Sequence, residues 1–350
     1  MKKRVLAGLL CLSIMFMSMG CQSGQTEVKD EKKKDEMRIG ITFDTFVLER
    51  WIRDRDVFVS TAEKLGATVD VQNANGDVEK QIGHIRRFIE QEMDAIVVIA
   101  VDCYEMKEVV QEAKARGIIV VSYDRMIQEE PTDLYVTVDN GMVGKKMAQE
   151  VKTRLPEGGN VVMICGPKSD TNSIDVESSF EAELADGPWK IIYKNYVKSW
   201  TPENGFAAVT EAFENVTDVD AVMCGNDGLA GYAIRALSER QMAGKVILVG
   251  QDADLEACQR VVEGTQTMTV YKPIEELARV AAECTVELVQ GKDAKDIEKV
   301  NQTKELDNGE IIPYCGLEPV AVTKENMDSV IIDSGFHLRE EVYLNLQENE

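Results

Sequence analysis

Short runs rich in Val and Ile alternate with helical stripes through most of this chain, and the alternation starts over near its middle. In the first half, "RIGIT", "ATVDVQ", "AIVVIAV", "IIVVSY" and "LYVTV" read as strands bounded by turn residues. Between them Trp51, Phe58, Ala62 and Leu65 recur at helical spacing, as do Ile82, Ile85 and Ile89, and then Val109, Val110 and Ala113. Such β-α-β-α repetition calls for a parallel sheet covered on both faces. Past "VDNGMVGKK" the pattern resumes with "NVVMIC", "KIIYKNY", "AVMC", "VILVG" and "TMTV". The economical reading is an α/β protein of two doubly wound parallel-sheet lobes.

The end of the chain adds a condition. "YKPIEELARVAAECTVELVQG" is one more amphipathic helix, and "PVAVTKENMDSVIIDSGF" one more strand and turn. If each lobe takes one of them, the chain crosses between lobes several times and forms a hinge. The expected division is 37–138 with 273–306 for the N-terminal lobe, 139–272 with 307–339 for the C-terminal lobe, and 340–350 as a tail.

Ahead of the first strand stands "MKKRVLAGLLCLSIMFMSMGC", a basic start followed by an apolar run. It reads as an export signal over residues 1–20. Cys21 follows Gly20 where a lipoprotein is cut and acylated, although Ser18 and Met19 stand where Leu and a small residue are usual. Residues 21–36 form a polar tether with no packing pattern. The location expected is extracytoplasmic, lipid-anchored to the outer face of the cell membrane. A formal net charge of −23 repels phosphate backbones and argues against nucleic acid. Beyond Cys11 and Cys21, the cysteines at 103, 165, 224, 258, 284 and 315 form neither a CxxC pair nor a zinc spacing, and are expected to be buried thiols.

In parallel sheets ligands bind beyond the carboxyl ends of the strands. Those ends carry Asp44 and "LERW", Asp124 and Arg125, "GPKSDTN", Trp200, Asn226 and Asp227, Gln251 and Asp252, and Lys272. Forked and planar polar groups accompanied by two tryptophans suit a pyranose, whose C–H faces stack on rings and whose hydroxyls bond donors and acceptors.

"LERWIRDRD", "VQNANGD", "SYDRMI", "SWTPENG", "GQDADL" and "GTQTMTVYKP" resemble the type I periplasmic binding proteins of the ribose-binding family, the sugar-capturing components of bacterial ABC importers. The resemblance runs from Met37 to Phe336. It implies that Trp51 and Trp200 sandwich the sugar ring. Arg50, Asp124 and Arg125 would bond hydroxyls from the first lobe, Asn172, Asn226 and Asp252 from the second, and Lys272 from the hinge. It implies a monosaccharide ligand, a pentopyranose with D-xylose foremost, and no cofactor or metal. The partner would be the membrane permease of an ABC importer or, alternatively, a membrane histidine kinase that senses the sugar-bound closed state. After Asn172 the segment "DTNSIDVESSF" departs from the family pattern by losing its Ala-Lys.

Other residues have plainer readings. Arg53 and Arg55 are expected in a solvated first turn, Asp227 and Asp254 as helix N-caps, and Trp189 in loop packing. His84 and His337 are given no functional role. HExxH, GxSxG and Walker A motifs are missing from the sequence. Asp44, Asp124 and Asp252 could supply a carboxylate pair for glycoside cleavage, but each stands beside a polar partner that suits hydroxyl bonding instead. A binding protein is expected, not an enzyme. A transcriptional regulator would need a helix-turn-helix where the signal and tether stand. Mass spectrometry of the mature N-terminus from the native host should find diacylglycerol on Cys21; an unmodified chain cut elsewhere refutes the anchor.

Overall fold

A computed structural model describes residues 36–346 apart from Glu49. The export signal, Cys21 and most of the tether lie outside the described residues. Elements follow in the order β1 (Met37–Phe43), α1 (Arg50–Lys64), β2 (Ala67–Asn73), α2 (Val78–Glu90), β3 (Ala95–Val98), α3 (Lys107–Ala115), β4 (Ile119–Tyr123) and β5 (Leu134–Val138). Then come α4 (Asn140–Arg154), β6 (Gly159–Cys165), α5 (Thr171–Leu184), β7 (Trp189–Tyr196), α6 (Pro202–Asn215), β8 (Ala221–Cys224), α7 (Asp227–Glu239), β9 (Ile247–Val249), α8 (Leu255–Glu263) and β10 (Thr269–Tyr271). The chain closes with α9 (Ile274–Val289), β11 (Gln302–Glu305), β12 (Ile311–Leu317), β13 (Val320–Val322) and α10 (Arg339–Val342).

One sheet has the order β11-β12-β5-β4-β3-β1-β2 and the other β7-β6-β8-β9, with β10 beside β9 and β13 beside β10. All pairings are parallel except β11 with β12 and β10 with β13. The two doubly wound parallel lobes expected from the sequence are therefore present. Strands β3, β5 and β8 are buried at every residue, because helices cover both faces, and that is why their sequences are apolar runs interrupted by a polar residue only at Thr137. At the edge of the second sheet, β7 leaves Ile191 and Ile192 exposed.

The chain passes between the sheets at Asp139, at Lys272–Pro273 and at Glu318–Pro319. Helix α9 packs on α1, β4 and β5, so it belongs to the first sheet. The last crossing corrects the sequence-based boundary at 306. β12 runs parallel to β5 in the first sheet, since Tyr314 and Cys315 take register beside Tyr135 and Val136. A short apolar strand pairs wherever an edge is open, and its sequence does not say which edge. Two crossing segments touch directly, Asp139 N donating to Leu317 O at 2.9 Å.

Caps place the helices over the strand ends. Asp77, Asp139, Asp170 and Asn226 accept bonds from backbone N–H groups in the first turns of α2, α4, α5 and α7. The cap of α7 is thus Asn226 and not Asp227. Asp227 is buried behind it and accepts from Gln266 Nε2 at 2.8 Å and Thr269 Oγ1 at 2.6 Å. Asp254 holds the N-cap position of α8 without capping it through its side chain.

Helices α4 and α5 approach closely at Gly144, where a Cβ would lie 2.1 Å from the Val176 carbonyl oxygen. Gly144→Ala should therefore destabilise by about 1–3 kcal/mol or more, because backbone must move to admit the methyl. At Gly83 in α2 a Cβ would meet nothing within 4 Å, so Gly83→Ala should stabilise. The gain expected is about 0.5–1 kcal/mol. Urea unfolding of both variants checks the opposite signs.

Candidate functional site

The carboxyl ends of β4, β6, β7, β8, β9 and β10 converge, together with the first turn of α1. They bring Arg50, Asp124, Arg125, Asp170, Asn172, Ser173, Trp200, Asn226, Gln251, Asp252 and Lys272 around one cavity of about 30 Å³. That is room for a water molecule or two. The side chains fill the remaining space by pairing with one another.

Arg50 lies 2.7 Å from Asp124 Oδ2 and 3.4 Å from Asp54 Oδ1. Arg125 donates through Nη1 to Asp44 Oδ2 and to the Ala100 carbonyl, both at 2.8 Å, and its Nε lies 2.9 Å from Asp170 Oδ2. Asp170 also accepts from Trp200 Nε1 at 2.9 Å. Lys272 Nζ stands 3.1 Å from Asp252 Oδ1. Five carboxylates thus surround three cations, leaving acceptors in surplus.

Burial by itself would raise the Asp124 carboxyl, but Arg50, Lys272 and Arg125 outweigh it and hold the group below the usual carboxylate range. Burial likewise opposes the Arg50 and Arg125 charges, and the acids around them overcome it. Asp170 has only partial compensation: burial pushes its carboxyl up against the pull of Arg125 and the Trp200 bond. Asp54, fully enclosed beneath Arg50 and Tyr123, is pushed up by burial to about 6.

Two acids sit on strained backbone. Asp124 has φ 63° and Asp252 φ 102°, a region that non-glycine residues visit rarely and that collects at ligand sites. Arg50 Nε, Ser173 Oγ and Gln251 Oε1 are buried without a hydrogen-bond partner in the protein. Unused donors and acceptors at one cavity are what a polyhydroxy ligand would satisfy.

Trp51 lies beside the cavity without lining it. It is buried against Phe43, and the Arg50 guanidinium lies 4.2 Å from its ring centroid. Asn172 spends its amide on the protein: Nδ2 donates to Asp124 Oδ1, and Oδ1 accepts from Asn140 Nδ2, each at 2.8 Å. It therefore spans the two lobes. Arg53 corrects its sequence reading. It is half-buried and donates to the Phe336 carbonyl across the lobes at 2.7 Å. Arg55 pairs with its neighbour Asp56. Trp189 Nε1 donates to the Leu155 carbonyl away from the cavity. His84 meets Thr42 Oγ1 at 3.2 Å, and His337 is buried against the Ala253 carbonyl. The six cysteines among the described residues are buried free thiols. No group of three or more His, Cys, Asp or Glu there could hold a metal ion.

Asp170 is the chief residue that sequence reasoning passed over. Its place just ahead of α5 marks it as a cap, which hides its second carboxylate oxygen reaching Arg125 and Trp200. Ser173 and Asp54 gave no signal, being ordinary polar residues on helices.

The sequence profile of the periplasmic binding protein domain matches residues 39–293. The chain belongs to the periplasmic binding protein family. It is 41% identical over 314 residues to the D-xylose-binding periplasmic protein of Haemophilus influenzae, covering 88% of this chain and 92% of that protein. It is 39% identical over 313 residues to the D-xylose-binding periplasmic protein of Escherichia coli K12, covering 88% and 93%. Among solved structures it resembles an ABC transporter solute-binding protein from Clostridium phytofermentans with bound β-D-glucose. There the TM-score is 0.77 at 26% identity, over 87% of this chain and 99% of that one. These relatives are solute-binding proteins, not enzymes, and so is this one.

This binding protein should show Asp54 in its pH dependence. A carboxyl raised in the folded state contributes stability that is full below about pH 4 and lost as pH rises through 6. The stability of wild type relative to Asp54→Asn should therefore rise by roughly 2.5 kcal/mol on acidification from pH 7 to 4, followed by urea unfolding.

Proposed function

We propose that this extracytoplasmic protein captures a pentopyranose, D-xylose foremost, between its lobes and delivers it to an ABC sugar importer, held at the membrane by lipid on Cys21. The observation that carries this reading is the buried cluster of five carboxylates and three cations around and behind the cavity, with acceptors in surplus and Trp200 alongside. Neutral polyols with many O–H donors match that surplus, whereas an anionic ligand would be repelled by it. Two relatives named for D-xylose binding, similar over most of the chain, point the same way.

In this reading the sugar exchanges ion pairs for hydroxyls. Arg50 and Asp124 would turn from each other to the sugar, as would Lys272 and Asp252, while Trp200 covers one ring face. Asn226 offers its amide N–H group, because its Oδ1 is held by Leu229 N. Trp51 meets the other face only if the Arg50 guanidinium leaves its ring. Groups from both lobes reach the ligand only when the lobes are together, so binding favours closure through differential contact.

Selection against hexoses follows from enclosure. An added hydroxymethyl group overpacks the site at a cost of order 1–3 kcal/mol, and a hydroxyl buried unpaired adds to it. Titration calorimetry should rank D-xylose above glucose and ribose; either sugar binding as tightly overturns the assignment. Asp252→Ala should weaken D-xylose binding by about 1.5–3 kcal/mol, the worth of a hydrogen bond to a charged group, with the lobes still folded.

A further inference from the structure

Arg53 is the one arginine of the α1 first turn that reaches the opposite lobe without approaching the cavity. Its Nη1 donates to the Phe336 carbonyl at 2.7 Å, and its guanidinium lies 4.5 Å from the centroid of the Phe336 ring. Phe336 is packed in the second lobe with Ala253, Val261, Val262 and Met327.

What stands behind Phe336 gives that contact its meaning. Its ring meets Tyr271 edge-on at 4.9 Å, and Tyr271 precedes Lys272 of the cavity. The next residue, His337, places Nε2 2.8 Å from the Ala253 carbonyl. A carbonyl only accepts, so this nitrogen carries the proton. Ala253 follows Asp252, and both residues hold positive φ, at 55° and 102°. Phe336 and His337 therefore brace the backbone on either side of the Lys272–Asp252 pair. Arg53 ties that brace to the first lobe. None of Arg53, Phe336 or His337 lines the cavity.

We propose that Arg53 is a positioning residue that sets sugar affinity from outside the site, as a latch between α1 and Phe336 that exists only while the lobes are together. This rests on the cleft being the sugar site. With the lobes apart, water solvates the guanidinium and the Phe336 carbonyl; with them together, a charge-assisted bond and a cation–π contact replace that water. The latch biases the lobes towards the binding-competent arrangement before sugar arrives. Apparent affinity scales with the fraction of protein in that arrangement. Other direct bonds join the lobes, including Cys103 N to Ser169 O at 3.0 Å and Lys304 to Asp175 at 3.0 Å. Of these, the Arg53 latch is the one that bears on the segment behind Asp252.

The test uses the mature protein carrying Arg53→Ala, Arg53→Lys or, as control, Arg55→Ala, with D-xylose as probe. Calorimetry and stopped-flow give affinity and release rate. A spin-label pair placed across the lobes gives their separation in sugar-free and sugar-saturated protein. Arg53→Ala should bind about tenfold more weakly, mainly through faster release, and its sugar-free distances should lengthen. Arg53→Lys keeps the charge but loses the planar stack, so it should fall between. Arg55→Ala should match wild type. Affinity of Arg53→Ala within about twofold of wild type overturns the proposal. So does weaker binding with unchanged sugar-free distances, which would make Arg53 a local prop. If Arg53→Ala does not fold, Arg53→Lys decides by the same two measurements. Should wild type itself ignore D-xylose, the sugar assignment fails, and the sugar-free distances still decide the latch.

Discussion

Burying charge is expensive, and this molecule buries a great deal of it in one place. Asp44, Asp54, Asp124, Asp170, Arg50, Arg125 and Lys272 are nearly inaccessible to solvent, and each lies beside an opposite charge. Truncating one member leaves its partners charged and unpaired, a loss larger than the net worth of the pair. The network therefore specifies an arrangement more than it adds stability.

The network also joins the lobes. Arg125 comes from the first lobe and Asp170 from the second; Asp124 and Asn172 are divided the same way. Asp170 caps α5 with one carboxylate oxygen and serves Arg125 and Trp200 with the other. A ligand that rearranges these pairs alters the lobe interface at once. If the sugar binds there as proposed, recognition and closure would be coupled through shared atoms.

The scaffold makes such a site possible. Parallel strands bury both faces, so polar groups are confined to strand ends and helix starts, where the backbone turns and caps are needed anyway. Asp124 and Asp252 accept left-handed backbone there, aiming their carboxylates at the cavity instead of along the strand. Behind Asp252, the Ala253 carbonyl is held by His337 from the end of the chain.

The sequence by itself determined the fold class and the strand ends, because both are written in local periodicity: apolar runs, helical stripes, and the polar residues that interrupt them. Arg50, Asp124, Arg125, Asn172, Trp200, Asn226, Asp252 and Lys272 all follow strands or open helices, and the structure gathers them around one cavity. Tertiary structure alone decided what depends on pairs distant along the chain. It paired β12 with β5, set Asp170 against Arg125, and joined Asp227 to Gln266 and Thr269. It also carried Arg53 to Phe336, 283 residues away. Periodicity reports which face a residue turns to the core, but not which partner waits there. That choice belongs to packing, made only when the whole chain is in place.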